Sequence, residues 1–545
     1  MKRFYLKVTV LMSWLWLSLL TLPVGAEALN QSQFQDLNQL KAALIQRSSG
    51  PKEEAINFLS QSENSVLPLD KRIALLQAWE GGDLYALKES QALYVATDFK
   101  TKANASLILG DGEAQLMIDN KRDFSKVRSN NKLRSLIKSG LASLQLGSSD
   151  PMLRFNAANQ LAGNLDQTTR PLVAQRLTVE DDDKVKQALE FVMAVDTANS
   201  NQTITLEQRL SAIEFLSDKK EALVYQTLNQ ILNRDFATEQ DTQAIHQAAQ
   251  KGINQYEQSQ KISAGVETLF FGLSLGSVLV LAGIGLAITF GVMGVINMAH
   301  GELIMIGAYT TYVVQLLMPN SIGLSLFVAI PAAFLVTAAV GILIERTVIR
   351  RLYGRPLETL LATFGISLIL QQAVRSIFSP LNRSVSTPDW MSGMLEINPM
   401  LSITYSRLYI IFFCLAVFFA LMLILKRTPL GLQVRAVSQN RAMARAMGVH
   451  SERVDAMTFG LGAGIAGVAG VALSQLTNVG PGMGQDYIID SFMVVVFGGV
   501  GNLWGTLVAG FSLGILNKVM EPWVGAVLAK ILILGFIILF IQKRP

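Results

Sequence analysis

The stretch GVMGVINMAHGELIMIGA, Gly291 to Ala308, decides how the rest of the chain is read. It lies between two apolar runs and places Asn297, His300 and Glu302 within six residues. Bilayer hydrocarbon penalises polar and ionisable side chains, so such a cluster between spans needs a reason. Gly291, Gly294 and Gly301 weaken helix propensity at the same place. One reading is a broken helix or tight turn at membrane depth, facing protein or a water-filled path. The other is a short polar loop at the membrane surface.

Outward from this stretch the chain divides in two. Of 545 residues, half are hydrophobic and 16% charged, with mean hydropathy +0.36. Up to about Lys261 the chain is polar. From Val266 it is dominated by Leu, Ile, Val, Gly, Ala and Phe, and Lys is absent until Lys426. The first part reads as soluble and the second as an integral membrane domain. The net charge of +5 is modest, and the positives of the second part sit in short clusters between apolar runs. That suits control of topology better than binding of nucleic acid. Cys414 is the single cysteine, which excludes an intrachain disulfide and any zinc site needing several cysteines.

Residues 1–26 read as a secretory signal. Lys2, Arg3 and Lys7 precede the apolar Val8–Leu22, and Val24-Gly25-Ala26 offers small residues for cleavage. An uncleaved anchor helix is the alternative, and either way the chain beyond it is exported. Residues 27–260 then form an exported, mainly helical domain, expected in the periplasm. Asp150-Pro151 is an N-cap and first-turn pair, followed by Leu153, Ala157 and Leu161 on one face. The acidic run Asp181-Asp182-Asp183 suits a helix start before Val185, Ala188, Leu189 and Val192. Leu206, Leu210 and Ile213 make a third face. Recurrent short amphipathic helices fit either stacked pairs of the HEAT kind or an irregular helical domain. Around Ala92 to Ile118, Leu93-Tyr94-Val95 and Leu116-Met117-Ile118 bracket Gly110-Asp111-Gly112 and predict a small hairpin. His246 has no second His or Cys near it, and the acidic run lacks the spacing of a calcium loop. This domain therefore reads as a binding or docking module, with no catalytic residues, metal or cofactor.

Residues 261–545 carry nine apolar runs: Val266–Phe290, Leu303–Met318, Ile322–Ile344, Leu357–Ile377, Leu408–Leu425, Met457–Leu476, Ile488–Val500, Leu503–Val519 and Val524–Ile541. The fold class is thus all-α, with eight or nine spans. With the first domain outside, the third, fifth and ninth runs end inside. There lie Arg346–Arg355, the basic loop Lys426–Arg453 and Lys543-Arg544, so signal and loop charge agree. Gly498-Gly499-Val500-Gly501-Asn502 separates two short runs that are either full spans or half-helices. Gly460 and Gly464, with Ala463 and Gly467, suit close helix packing.

No phosphate loop or HExxH occurs, and the few charges in or beside spans, among them Glu267, Glu358, Arg375, Asp490, Lys518 and Lys530, do not form a chain of carboxylates. A passive channel or an energised permease remains. The loop Arg427 to Asp455 offers the second informative stretch. Two short helices broken near Gly448 would put Met443 and Met447 on one face, a surface suited to docking, although any basic inward loop would also look like this.

Three segments carry a resemblance: GVINMAHGELIMIGAY (Gly294–Tyr309), TPLGLQVRAVSQNRAMARAMGV (Thr428–Val449) and QDYIIDSFMVVVFGGVGNLWGTLVAG (Gln485–Gly510). In this order they resemble the permeases of ABC importers for branched-chain amino acids and, more closely, urea, where a helical extension also comes after a signal. The resemblance implies a bacterial inner-membrane, multi-pass subunit. Its partners would be a second permease, two cytoplasmic ATPases and a periplasmic solute-binding protein. It makes Thr428–Val449 the ATPase coupling loop, with Arg435, Ala436, Arg441, Met443, Met447 and Gly448. The family usually continues a little beyond Arg544-Pro545. Under this reading Asn297, His300 and Glu302 mark the solute path, or hold the broken segment together. Urea is the expected solute, since these groups can donate to its carbonyl and accept from its NH2 groups. A branched-chain amino-acid permease is the alternative, and a membrane-anchored sensor a third reading.

Overall fold

The computed structural model describes residues 34, 36–60, 67–110, 113–167, 169–200 and 204–543. The expected signal (1–26) lies outside them, as do Asp111, Gly112 and Arg544. The described chain divides into two units. One runs to Lys219 and adds Leu223–Ile253; the other holds Lys220–Ala222 and continues from Asn254.

In the first unit, α1 (Leu37–Ile45), α2 (Gly50–Leu59) and α3 (Leu69–Gly81) precede a five-stranded antiparallel sheet. Its strands are β1 (Leu84–Leu87), β2 (Leu93–Val95), β3 (Asn104–Leu109), β4 (Gln115–Met117) and β5 (Phe124–Lys126), in the order β4-β3-β2-β1-β5. The expected hairpin is therefore only part of the element. β3 lies between the two anticipated strands and pairs with both. Leu40, Leu44, Ile56, Leu59, Leu75 and Trp79 form the core beside it.

Six helices come next: α4 (Asn131–Gln145), α5 (Pro151–Leu161), α6 (Thr169–Val179), α7 (Asp183–Asn199), α8 (Leu206–Ser217) and α9 (Ala222–Leu232). Asp150 caps α5 by accepting from Met152 N, and Asp182 caps α7 by accepting from Lys184 N and Val185 N. Thr205 and Gln208 close a reciprocal capping box on α8. Val185, Ala188, Leu189 and Val192 are buried as their spacing predicts. Leu153 and Leu206 are exposed instead, and Arg154 and Arg209 are buried on those helices. Arg154 donates to both oxygens of Glu180 at 2.7 and 2.9 Å, and to the carbonyls of Ser148 and Ser149. Its fork thus ties the α4–α5 turn to the end of α6.

The 55-residue helix α10 (Glu239–Met293) begins in the first unit and ends in the second. The second unit continues with α11 (His300–Leu317), α12 (Ile322–Thr347), α13 (Pro356–Phe378) and a hairpin of β6 (Met394–Asn398) and β7 (Leu401–Thr404). Then come α14 (Tyr405–Arg427), the short α15 (Pro429–Gln439) and α16 (Arg441–Ala446), and α17 (Ser451–Ser474), α18 (Met483–Gly498), α19 (Leu503–Val524) and α20 (Ala526–Lys543). Seven of these, α10, α12, α13, α14, α17, α19 and α20, are long and apolar enough to cross a bilayer. α11 carries His300 and Glu302 in its first turn, and α18 has only 16 residues. Both occupy runs that looked short in the sequence. The all-α, polytopic class expected with interrupted segments is the one observed.

α17 is central. Its small residues let neighbours approach at backbone distance, the packing that replaces hydrophobic drive inside lipid. A Cβ at Gly307 of α11 would lie 2.2 Å from Gly467 O, and one at Gly285 of α10 would lie 2.5 Å from Gly462 O. On its other side Ala463 fits against Gly341 of α12.

The Arg154–Glu180 pair sets a test. Hydrogen bonds from Arg154, joined by one from Arg176, hold the Glu180 carboxyl at about 2 against an ordinary 4.5. Its stabilisation is complete above about pH 4.5 and is lost as pH falls toward 2. Glu180→Gln leaves the Arg154 cation buried without its partner, a loss of roughly 3–5 kcal/mol. Protease resistance of the first unit on heating the purified full chain reads this. Wild-type resistance in the variant would refute it.

Candidate functional site

α10 ends where Gly294 takes φ +64, a conformation that suits glycine. The chain does not leave the bundle there. His300 Nε2 lies 2.9 Å from Ala282 O, beside a carbonyl eleven residues before Met293. At 1.5 Å per residue that is about 16 Å back along α10. Residues 294–299 therefore run back into the bundle before α11 begins. A carbonyl only accepts, so His300 donates from Nε2. Asn297 Oδ1 accepts from Ala299 N at 3.0 Å, and Thr363 Oγ1 of α13 accepts from Met298 N at 3.1 Å. Of the two readings of this stretch, the structure has the broken helix.

A second interruption faces the first. α17 ends at Ser474, and α18 begins at Met483 against the first turn of α11. A Cβ at Gly301 would lie 2.2 Å from Gly484 O. From there α18 runs toward the end of α10, where Gly501 Cα would lie 2.6 Å from a Cβ at Gly291. The N-termini of α11 and α18 thus meet inside the bundle, with two positive helix ends around Glu302. Glu302 is only 1% exposed. Its Oε1 accepts from Ser367 Oγ at 3.0 Å, and its Oε2 packs at Gly484 with no hydrogen-bond partner among the described residues. The three residues singled out in the sequence do come together, with different partners. Asn297 and His300 bond within the interruption and to α10. Glu302 bonds to α13, and each of the three keeps one polar atom without a partner among the described residues: Asn297 Nδ2, His300 Nδ1 and Glu302 Oε2.

Two other carboxylates in the spans are paired, whereas Glu345 of α12, also 1% exposed, keeps Oε2 without a hydrogen-bond partner among the described residues. Lys530 Nζ lies 2.7 Å from Asp490 Oδ2 between α20 and α18, and Lys518 pairs with Glu521. Thr363 and Ser367, which hold the interruption and Glu302, drew no notice in the sequence. Their signal was the four-residue spacing of polar side chains within an apolar run.

The 428–455 segment forms a compact knob. Thr428 accepts from Gly431 N at the start of α15, and Asn440 Oδ1 accepts from Met443 N at the start of α16. The two helices therefore separate at Asn440. Gly448, with φ +87, lies beyond them and turns the chain toward α17, which corrects the expected break. Val434, Val437, Ala444 and Val454 make a small core, with Ala436 partly buried against it. Arg441 holds both oxygens of Asp455, at 2.6 and 3.0 Å, and lies 4.3 Å from the centroid of the Tyr353 ring. Arg350 pairs with Glu452, tying in the α12–α13 turn. Arg435 bonds back to Gly431 O. Leu432, Met443 and Met447 are left exposed.

A gathered bundle with interrupted helices and a packed basic knob is the architecture of a polytopic membrane permease. Residues 268–541 match the family described as "Branched-chain amino acid transport system / permease component", and the chain belongs to that family. It is 32% identical over 289 residues to the high-affinity branched-chain amino acid transport system permease protein BraD of Pseudomonas aeruginosa, covering 51% of this chain and 94% of that protein. Identity to the permease LivH of Escherichia coli is 30% over 291 residues, with the same coverages. The ribose import permease RbsC of Escherichia coli is 26% identical over 264 residues, 46% of this chain and 77% of that one. No solved structure matches. The chain is thus a multi-pass inner-membrane transport subunit. The names of BraD and LivH carry branched-chain amino acids and that of RbsC ribose, and none of those cited carries urea, the solute expected first.

The contact of Gly301 with Gly484 is open to test. Gly301→Val forces a side chain into backbone and destabilises by about 1–3 kcal/mol. Gly365→Val enters open space on α13 and serves as control. Equal melting temperatures for the two variants in detergent would count against the contact.

Proposed function

We propose that this chain is a permease subunit of an ATP-driven importer, and that branched-chain amino acids are its solute class. The observation that carries this is coverage: the membrane half accounts for 94% of relatives bearing that name. On this reading Glu302 contacts the solute, while Asn297 and His300 hold the interruption that presents it. The knob docks on cytoplasmic ATPase subunits through Leu432, Met443 and Met447, and Arg441, Arg435, Ala436 and Gly448 shape it. A second permease and a periplasmic solute-binding protein complete the importer. A second reading, urea, rests on the helical unit before residue 268. The matched relatives are used almost to their full length and leave little room for a counterpart.

Labelled leucine and labelled urea, offered to cells with the whole importer and with this subunit deleted, decide between them. Loss of leucine uptake alone supports the first reading, and loss of urea uptake alone the second. Loss of neither refutes the transport role. In the same cells, Met443→Asp with Met447→Asp lowers uptake by more than about tenfold, as expected on losing an apolar docking anchor, with the subunit still in the membrane. Unchanged uptake would remove the knob from coupling.

We further propose that residues 1–26 act as a signal, and that 27–260 is a periplasmic domain. Trypsin added to spheroplasts then cleaves that segment without lysis. Protection until lysis would place it inside.

A further inference from the structure

One face of α13 is polar along most of its length. Thr359, Thr363, Ser367 and Gln371 recur at four-residue spacing, and all four are buried. The stripe spans about 18 Å of helix, over half of a hydrocarbon core of roughly 30 Å. On the opposite face Leu357, Leu361 and Ile369 are exposed, as on a helix with lipid or a partner beside it. Thr and Ser on such a face suit close helix packing, so the informative feature is which of these polar groups are left unbonded.

The hydrogen bonds sort the stripe. Thr359 donates to the carbonyls of Leu352 and Arg355, and Thr363 to that of Leu360. Ser367 donates to Glu302. Gln371, 6% exposed, leaves Nε2 without a partner among the described residues. Glu302 Oε2 and the hydroxyl of Tyr309, on the α11 side, are likewise unpartnered. A buried polar group left without a bond is costly, and a network only partly satisfied is worse than an apolar one. α11 meets α17 at backbone distance, whereas its contact with α13 is made by side chains, the Tyr309 and Tyr312 rings packing on Phe378 beyond the polar stripe. An interface held by side chains and short of hydrogen bonds is suited to opening.

We propose that the α11–α13 seam is a solute-contacting track through this subunit, with Ser367 and Gln371 acting beside Glu302 as specificity-determining residues. The inference rests on the permease reading above and extends it to residues that reading does not name. The seam offers hydroxyls, an amide donor and a carboxylate acceptor. It fits a small solute that carries N–H donors together with a carbonyl or carboxylate oxygen. During turnover α13 parts from α11, and solute takes up the bonds that the closed seam lacks. Glu302 is where the track meets the paired N-termini of α11 and α18.

Cysteine reactivity tests this in the assembled importer, reconstituted in vesicles. Cys414 is the single cysteine and is buried, so Cys414→Ser gives a silent background. Thr363→Cys, Ser367→Cys and Gln371→Cys are compared with Leu361→Cys and Ile369→Cys. The probe is a permanently charged methanethiosulfonate, applied at rest and during ATP hydrolysis. Thiolates form only where water reaches, so the three seam positions react at least about tenfold faster than the two apolar ones during turnover. Leucine or urea, whichever the importer takes up, slows reaction at Ser367→Cys and Gln371→Cys. Leu361→Cys, exposed on the face away from the seam, retains ATP hydrolysis and certifies assembly, and hydrolysis is measured for each seam variant beside it. Seam cysteines no faster than Ile369→Cys in a hydrolysing importer would overturn the track, and fast reaction without protection by solute would overturn the contact. Should neither solute be transported, the substrate reading falls, while the pattern of reactivity still decides whether the seam is wet.

Discussion

Two helix N-termini meet in the interior of this bundle, and the meeting requires that neither Gly301 nor Gly484 carry a side chain. Much of the membrane half depends on that contact. A helix can start inside a bundle only if the chain before it returns there, so both α11 and α18 come after interrupted segments. Backbone left without helix bonds at that depth must be satisfied by protein. Asn297, His300 and Thr363 do so for the first interruption. Small residues along α17 then let α10, α11 and α12 close around the junction.

The charged groups separate by how fully they are partnered. Arg154 with Glu180, Arg441 with Asp455 and Lys530 with Asp490 are joined at short distance. Each ties elements that the fold needs together. Glu302 and Glu345 are equally buried, and each keeps an unpartnered oxygen among the described residues. Glu345 lies in the last turn of α12 near Arg346 and Arg350, whereas Glu302 lies at the interrupted centre of the bundle. A membrane interior is a costly place for a free carboxylate oxygen. That contrast, rather than the presence of an acidic residue, directs attention to the α11–α13 side of the bundle. The knob of α15 and α16 shows the opposite economy. Arg435, Arg441 and Arg445 are each hydrogen-bonded within it, and among the residues it exposes are the apolar Leu432 and the conformationally adaptable Met443 and Met447.

Family membership settles the architecture and the transport role but speaks only for residues 268–541. The relatives' names favour branched-chain amino acids, whereas the helical unit in front is what sets this chain apart from them. Substrate identity and the work of that unit are therefore linked questions.

Hydropathy and capping are local properties, and they made most of the fold legible in the sequence. The apolar runs became the helices expected of them, and Asp150, Asp182 and Asn297 lie at the turns their side chains favour. The two deficient runs were visible as well, because His300 and Glu302 lower the hydropathy of one and the other is short. Tertiary structure alone decided the rest. The sheet of 84–126 is built from strands of three to six residues, too short for periodicity to reveal, and its closing pair, β1 with β5, joins segments nearly forty residues apart. Leu153 and Leu206 yielded the interior to Arg154 and Arg209 because carbonyls and a carboxylate from other turns awaited those cations. Ser367 lies 65 residues from Glu302, and Gly484 lies 183 positions beyond Gly301 (484 − 301). Sequence states which groups must be satisfied within the membrane. Which partner satisfies them, and which group is left free, depends on contacts between distant segments that exist only once the helices have packed.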